Sequence, residues 1–304
     1  MMKLSFEQIS FSPFYRGSVR STRNVFNSAR EIVYLPETNW SAIYDSKVPV
    51  VVRGLASQWP AISNPSKCWI NTSQLKKRIV PDTVVSIEVG ESYMDEQVQK
   101  PLVDLESLLD FLMLKGHINN TTPKVYWAQQ DLNDVLVMRD DVVVPEICSK
   151  TGKGVLYRTN IWFGGSQGTY SPCHYDPFEN MLCQVFGNKE VILFPPKVGA
   201  RYLYPAIGTN QKNTSLVNID KPNFELHPLY GELLRHIQNS KSDNQSGGLQ
   251  VEGGSHANTS ATQGEEMNVV RAIIHPGDGI YIPYKWWHYC KTSDISCSVN
   301  FWWQ

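Results

Sequence analysis

Tyr170 to Pro196 reads Y-S-P-C-H-Y-D-P-F-E-N-M-L-C-Q-V-F-G-N-K-E-V-I-L-F-P-P. His174 and Asp176 sit two apart, so in an extended strand both side chains project from one face. Two apolar runs follow, Met181 to Phe186 and Glu190 to Phe194, and Gly187-Asn188 between them reads as a tight hairpin turn. Alone, a His-x-Asp pair says little. With 7 His in the chain, roughly one such chain in three carries the pair by chance. Its meaning depends on what the rest of the sequence brings to the same place.

The length of 304 residues suits one large all-β or α/β domain, or two small ones. Hydrophobic content of 41% and charged content of 19% describe an ordinary globular protein, and 9 Trp with 14 Tyr suit a sheet-rich core with a lined cleft. A formal net charge of −1 offers no bulk attraction to nucleic acid or to an anionic membrane. It lowers the odds of a nucleic-acid substrate without removing them. Cys68, Cys148, Cys173, Cys183, Cys290 and Cys297 form no C-x-x-C pair and no zinc-type spacing. With no signal-peptide pattern and no apolar run of membrane-spanning length, the expected compartment is a reducing one, nucleus or cytoplasm, with six free thiols.

Residues 1–30 are polar and basic and read as a loosely ordered lead-in. Residues 31–158 read as a buttress of helices and strands. Asn39 to Asp45 is expected to be a short helix, Pro49 to Leu55 a buried strand, and Cys68 to Arg78 a helix whose K-K-R end suits the macrodipole. Thr83 to Val89 and Val125 to Gln129 read as strands, Leu105 to Leu114 and Asp131 to Met138 as helices. From 159 to 304 the chain changes to short β-like runs punctuated by Gly and Pro, which points to an antiparallel sandwich or barrel. Within it, residues 231–267 are so polar that a disordered insertion, carrying exposed His236 and His256, is expected.

The second half of a candidate site is P-G-D-G-I-Y-I-P at 276–283, followed by Tyr284-Lys285-Trp286-Trp287-His288. Pro-Gly-Asp-Gly is a tight turn, Ile-Tyr-Ile a strand, and His288 starts the next strand, where it can face inward. Two His and one carboxylate make the facial triad of non-haem Fe(II) oxygenases, whose open positions admit a bidentate oxo-acid and O2 together. A structural zinc site would want four closed ligands, richer in Cys.

Taken together, H-x-D at 174–176, Lys189, P-G-D-x-x-x-x-P at 276–283 and His288 resemble the Jumonji-C (JmjC) domain. So do P-V-V-V-R-G-L-A-S-Q-W-P at 49–60, Ile87-Glu88-Val89-Gly90, Tyr126-x-Ala128-Gln129, Trp162-Phe163-Gly164 and S-V-N-F-W-W at 298–303. The likeness is greatest to the small arginyl and lysyl hydroxylases of that family. It implies an all-β core with flanking helices, a double-stranded β-helix of the jelly-roll or cupin type, with an N-terminal α/β buttress.

It further implies an Fe(II)- and 2-oxoglutarate-dependent dioxygenase using O2. His174, Asp176 and His288 would be the iron ligands and catalytic centre. Lys189, helped by Tyr126 and Ser171, would hold the distal carboxylate of 2-oxoglutarate, with Asn180 and Asn300 nearby. Trp162, Glu88, Gln129 and Trp302 would line the substrate path. W-F-G-G-S-Q-G at 162–168 carries one residue more than the usual W-F-G-x-x-G, which bears on substrate choice. The expected substrate is a protein or peptide side chain, arginyl or lysyl, hydroxylated by a monomer with no membrane partner. Competing readings are a lysine or arginine demethylase, a hydroxylase of a modified tRNA base, and a metal-free JmjC-fold binding module.

Overall fold

The computed structural model describes residues 25–94, 98–113, 124–246 and 268–304. The buttress comes first along the chain. It comprises β1 (Asn27–Ser28), β2 (Arg30–Val33), α1 (Trp40–Asp45), β3 (Val50–Arg53), α2 (Pro60–Ser63), α3 (Thr72–Lys76), β4 (Val84–Ser86), β5 (Glu88–Val89), β6 (Leu102–Asp104) and α4 (Leu105–Met113). Next come β7 (Val125–Asp131), α5 (Leu136–Arg139) and α6 (Ile147–Lys150). Side-chain caps start two of the helices: Asn39 accepts from Ala42 N, and Asn71 from Gln74 N.

The core then runs through β8 (Leu156–Gly164), β9 (Tyr170–His174), β10 (Glu179–Phe186), β11 (Lys189–Phe194), α7 (Pro196–Tyr202), α8 (Pro228–Ser246), β12 (Val270–Ile274), β13 (Gly279–Ile282), β14 (Trp287–Lys291) and β15 (Ser296–Trp303). Two sheets face each other. The larger has the order β2-β3-β13-β10-β15-β8-β7-β5, the smaller β1-β12-β11-β14-β9, and β4 pairs with β6 in a third. Strands β8 to β15 pass back and forth between the two large sheets, which is the double-stranded β-helix. Among the described residues, no helix is long and apolar enough to cross a membrane.

Strand alternation sorts the side chains. Leu182, Val191, Leu193, Ile280 and Ile282 fill the space between the sheets. On the outer face of the large sheet, Met181, Cys183, Val299, Phe301 and Trp303 pack against the buttress residues Trp59, Trp69, Leu108 and Trp127. On the outer face of the small sheet, Ile192, Phe194, Trp287 and Tyr289 meet α7 and α8 through Val198, Tyr202, Tyr230, Leu233 and Ile237.

Several expectations need correcting. Gly187 does adopt a left-handed φ of +69°, but β10 and β11 lie in different sheets. The turn therefore carries the chain across the barrel and makes no hairpin. Of the expected disordered insertion, residues 231–246 belong to α8, whose Leu233, Leu234 and Ile237 are buried; residues 247–267, with His256, lie outside the described residues, and His236 is exposed. In the lead-in, Phe26 and Ala29 are buried and residues 27–30 enter β1 and β2, while residues 1–24 lie outside the description. The Cys68–Arg78 helix shrinks to α3, and its basic end has specific partners: Lys76 with Asp110 and Arg78 with the buried Asp141. Thr83–Val89 splits into β4 and β5, in separate sheets. Asp131–Met138 splits into a 3-10 turn at Leu132–Asp134 and α5. All six cysteines are free, and five are buried.

The Pro-Gly-Asp turn is held by charge. Asp278 accepts from Arg53 at 2.6 Å, from His275 N at 2.9 Å and from Gly54 N at 3.2 Å. Behind the small sheet, an ideal Cβ on Gly199 of α7 would fall 1.9 Å from Trp287 Cδ1, so only Gly lets α7 pack directly behind His288. Gly199→Ala is expected to lower stability by about 1–3 kcal/mol through overpacking. Urea unfolding measures it, and an unchanged midpoint would mean that α7 shifts freely.

Candidate metal centre

His174 ends β9 and His288 lies in β14, and these strands pair antiparallel with His174 opposite His288. The two imidazole centroids are 4.3 Å apart. Each ring is fixed the same way. Nδ1 of His174 is 2.8 Å from Pro172 O, and Nδ1 of His288 is 3.0 Å from Trp286 O. A carbonyl only accepts, so each Nδ1 carries a proton, and Nε2 is the nitrogen left to offer a lone pair when the ring is neutral. Burial, and after it the neighbouring His174, pushes the His288 pKa down to about 4, which keeps that ring neutral at neutral pH.

Asp176 faces both rings, with Oδ1 3.9 Å from His174 Nε2 and Oδ2 3.5 Å from His288 Nε2. One ligand atom from each of His174, Asp176 and His288 lies within 4.8 Å of the others. Three acceptors thus converge with no proton between them, an arrangement that a cation relieves. The donor set of two imidazoles and one carboxylate fits ferrous iron.

A chain of amides stands behind Asp176. Asn180 Nδ2 donates to Asp176 Oδ2 at 3.1 Å, Asn300 Nδ2 to Asn180 Oδ1 at 3.0 Å, and Trp162 Nε1 to Asn300 Oδ1 at 2.8 Å. Because the carboxylate can only accept, the orientation of every amide along this chain is determined.

These residues open onto a cleft of about 340 Å³ lined by Tyr126, Trp162, Ser171, His174, Asp176, Asn180, Leu182, Lys189, Ile282, His288, Cys290 and Asn300. Lys189, first residue of β11, is 3% exposed. Among the described residues no carboxylate pairs with it, and burial lowers its pKa from the ordinary lysine value. Tyr126 and Ser171 both line this cleft, and burial holds the Tyr126 phenol above its usual range, so it keeps its proton to donate.

Nine of the twelve sequence-expected residues therefore meet on this cleft. Three do not. Glu88 pairs with Lys100 at 2.9 Å. Gln129 is exposed at a bulge in β7 with φ +55°. Trp302 stacks on Phe178, with centroids 5.6 Å apart, and Phe178 stacks on Tyr157 at 4.3 Å. Sequence reasoning missed Leu182 and Ile282, which alternation along β10 and β13 could have found. It also missed Tyr93, edge-on to His174 at 6.4 Å with its hydroxyl 3.3 Å from Thr214 Oγ1. No local signal marks Tyr93.

The chain matches the cupin-like domain family over residues 36–241 and 254–304 and belongs to that family. It is 29% identical over 258 residues to Lysine-specific demethylase JMJ30 of Arabidopsis thaliana, covering 84% of this chain and 49% of that protein. It is 26% identical over 264 residues to Jumonji C domain-containing protein 5 of Drosophila melanogaster (86% and 56% covered) and 28% identical over 286 residues to Lysine-specific demethylase 8 of Danio rerio (92% and 60% covered). The chain thus spans about half to three-fifths of the length of these curated relatives. These relatives, named as Jumonji C proteins and lysine-specific demethylases, bear out the JmjC resemblance.

Asn180→Ala, which frees the Asp176 carboxylate, is expected to weaken Mn(II) binding about 10–100-fold. His275→Ala should leave it unchanged, because that ring bonds Asn188 away from the cleft. Calorimetric titration of both variants with Mn(II) makes the comparison.

Proposed function

We propose that the protein hydroxylates a side chain of a protein or peptide, arginyl or lysyl by preference, consuming 2-oxoglutarate and O2. The observation that carries this reading is Lys189, a buried ammonium without a described carboxylate partner, in the same cleft as the His-Asp-His cluster. A dianionic oxo-acid answers both features, one end to the metal and the other to the lysine. Ferrous iron held by His174, Asp176 and His288 would supply the redox chemistry, coupling oxidative decarboxylation of the oxo-acid to oxidation of a substrate C–H bond.

The chain's own residues do the rest. Lys189 binds the distal carboxylate as a point charge in a low-dielectric wall, and the Tyr126 and Ser171 hydroxyls donate to it. Leu182, Ile282 and the Trp162 ring keep water from the reacting centre. Asn180, backed by Asn300, holds the Asp176 carboxylate in place. The Tyr157–Phe178–Trp302 stack suits a planar or cationic side chain, which supports an arginyl or lysyl target.

Likeness to the JmjC arginyl and lysyl hydroxylases supports a stable hydroxyl product. The names of the Arabidopsis and Danio relatives favour demethylation as the second reading. Both oxidise a C–H bond, and a hydroxylated N-methyl group departs as formaldehyde. The test incubates the iron-loaded protein with 2-oxoglutarate and arginyl, lysyl and N-methylated peptides. Succinate and a peptide gain of one oxygen are expected, both abolished in His174→Ala. Formaldehyde with a lost methyl group would establish the second reading, and neither succinate nor metal binding would leave a binding module.

Binding of 2-oxoglutarate should also follow pH. Lys189 must be protonated to hold a carboxylate, and its folded pKa is lowered. Affinity is then present below that pKa and lost as pH rises through it, earlier than an ordinary lysine would allow. Lys189→Met should bind weakly and lose this dependence. Titrations of 2-oxoglutarate across pH check both.

A further inference from the structure

Glu179 opens β10, and alternation turns its side chain away from the cleft while Asn180 faces in. It is nonetheless 8% exposed. Its Oε2 accepts from the Tyr281 hydroxyl at 2.7 Å and from the backbone N–H of Tyr284 at 3.0 Å, and its Oε1 is 3.6 Å from Lys47 Nζ. Burial, and then the carboxylate itself, holds the Tyr281 phenol above its ordinary pKa, so it stays a donor.

Tyr284 belongs to the turn between β13 and β14, the turn that delivers His288. The same turn is held at its next two residues: Lys285 N donates to Asp176 O at 3.3 Å, and Trp286 Nε1 to Lys47 O at 3.1 Å. Trp286 O in turn receives the Nδ1 proton of His288. One charged group, three residues after Asp176, thus grips the segment whose last carbonyl orients His288.

We infer that Glu179 is a positioning residue for the metal centre: its carboxylate sets the β13–β14 turn against β10 and so fixes His288 relative to Asp176. This rests on the metal-dependent reading above. A charge-assisted bond to a backbone N–H is among the stronger hydrogen bonds, and removing it leaves a buried hydroxyl and amide unpaired.

The test uses the full chain as wild type, Glu179→Ala, Glu179→Gln and Tyr281→Phe. It reads Mn(II) affinity by calorimetry, the visible absorption of the Co(II)-loaded protein, and the melting temperature of each metal-free form. Glu179→Ala is expected to weaken Mn(II) binding by about tenfold or more and to shift the Co(II) spectrum. Glu179→Gln, which keeps an acceptor for Tyr281 and Tyr284, should restore both toward wild type. Wild-type Mn(II) affinity and Co(II) spectrum in a folded Glu179→Ala would overturn the inference. Where that variant does not fold, Tyr281→Phe decides: a smaller loss in the same direction upholds it, and no change in affinity or spectrum refutes it. A wild-type protein that binds neither metal defeats the underlying metal reading instead.

Discussion

The register between β9 and β14 is the constraint on which the rest of the site depends. It sets His174 directly opposite His288, and opposite residues in an antiparallel pair have Cβ atoms only about 5 Å apart. Two imidazoles at that spacing can share one ion. A slip of one residue would turn one ring out of the barrel, so the flanks are held firmly. Trp287 is packed against Gly199, and the preceding turn is tied to Glu179, Asp176 and Lys47. Asp176 then needs only to follow β9 by two residues to complete the triangle.

Charge burial separates structure from function in this molecule. Asp141 is fully buried, yet Arg78 and the Trp69 indole satisfy it. Asp278 is nearly buried and meets Arg53 and two backbone amides. Those ions complete their own pairs inside the fold. Among the described residues Lys189 finds no such pair, although desolvating an ammonium costs several kcal/mol. Apolar residues of similar volume would serve the barrel better at that position. Under the proposed reading, the distal carboxylate of the oxo-acid is the partner that makes the lysine tolerable there, so the cleft supports that reading alongside the resemblance.

How much of this was legible in the sequence depended on the range of the interaction. The core strands were readable because alternation and Gly/Pro punctuation act within a few residues; the same period picked out His174 and Asp176, although β9 ends at His174 and Asp176 lies just beyond the strand. Gly187-Asn188 signalled its left-handed backbone, but turn chemistry does not say which sheet the next strand joins. In α8 the buried spacing of Tyr230, Leu233, Leu234 and Ile237 was hidden by the polar tail that follows it. The K-K-R end of α3 looked like a dipole effect because Asp110 and Asp141 are distant in sequence. Glu88 and Gln129 were assigned by likeness alone, and a salt bridge and a bulge keep them off the cleft wall. Tyr93 and Glu179 act only through tertiary contacts.

Asp176-Pro177-Phe178-Glu179-Asn180 places several duties on five consecutive residues. Asp176 faces the two imidazoles, Phe178 stacks between Tyr157 and Trp302, Glu179 holds the β13–β14 turn, and Asn180 steadies the Asp176 carboxylate. In a strand, adjacent side chains point to opposite faces but share one backbone. A group docking on the Phe178 stack therefore bears on the same short segment that carries a metal-facing carboxylate and the clasp for His288. Under the proposed reading, substrate fit and metal geometry are mechanically linked at this segment. Under that reading, the bonds from Asn180 and Glu179 are what keep Asp176 and the β13–β14 turn in place beside the stack.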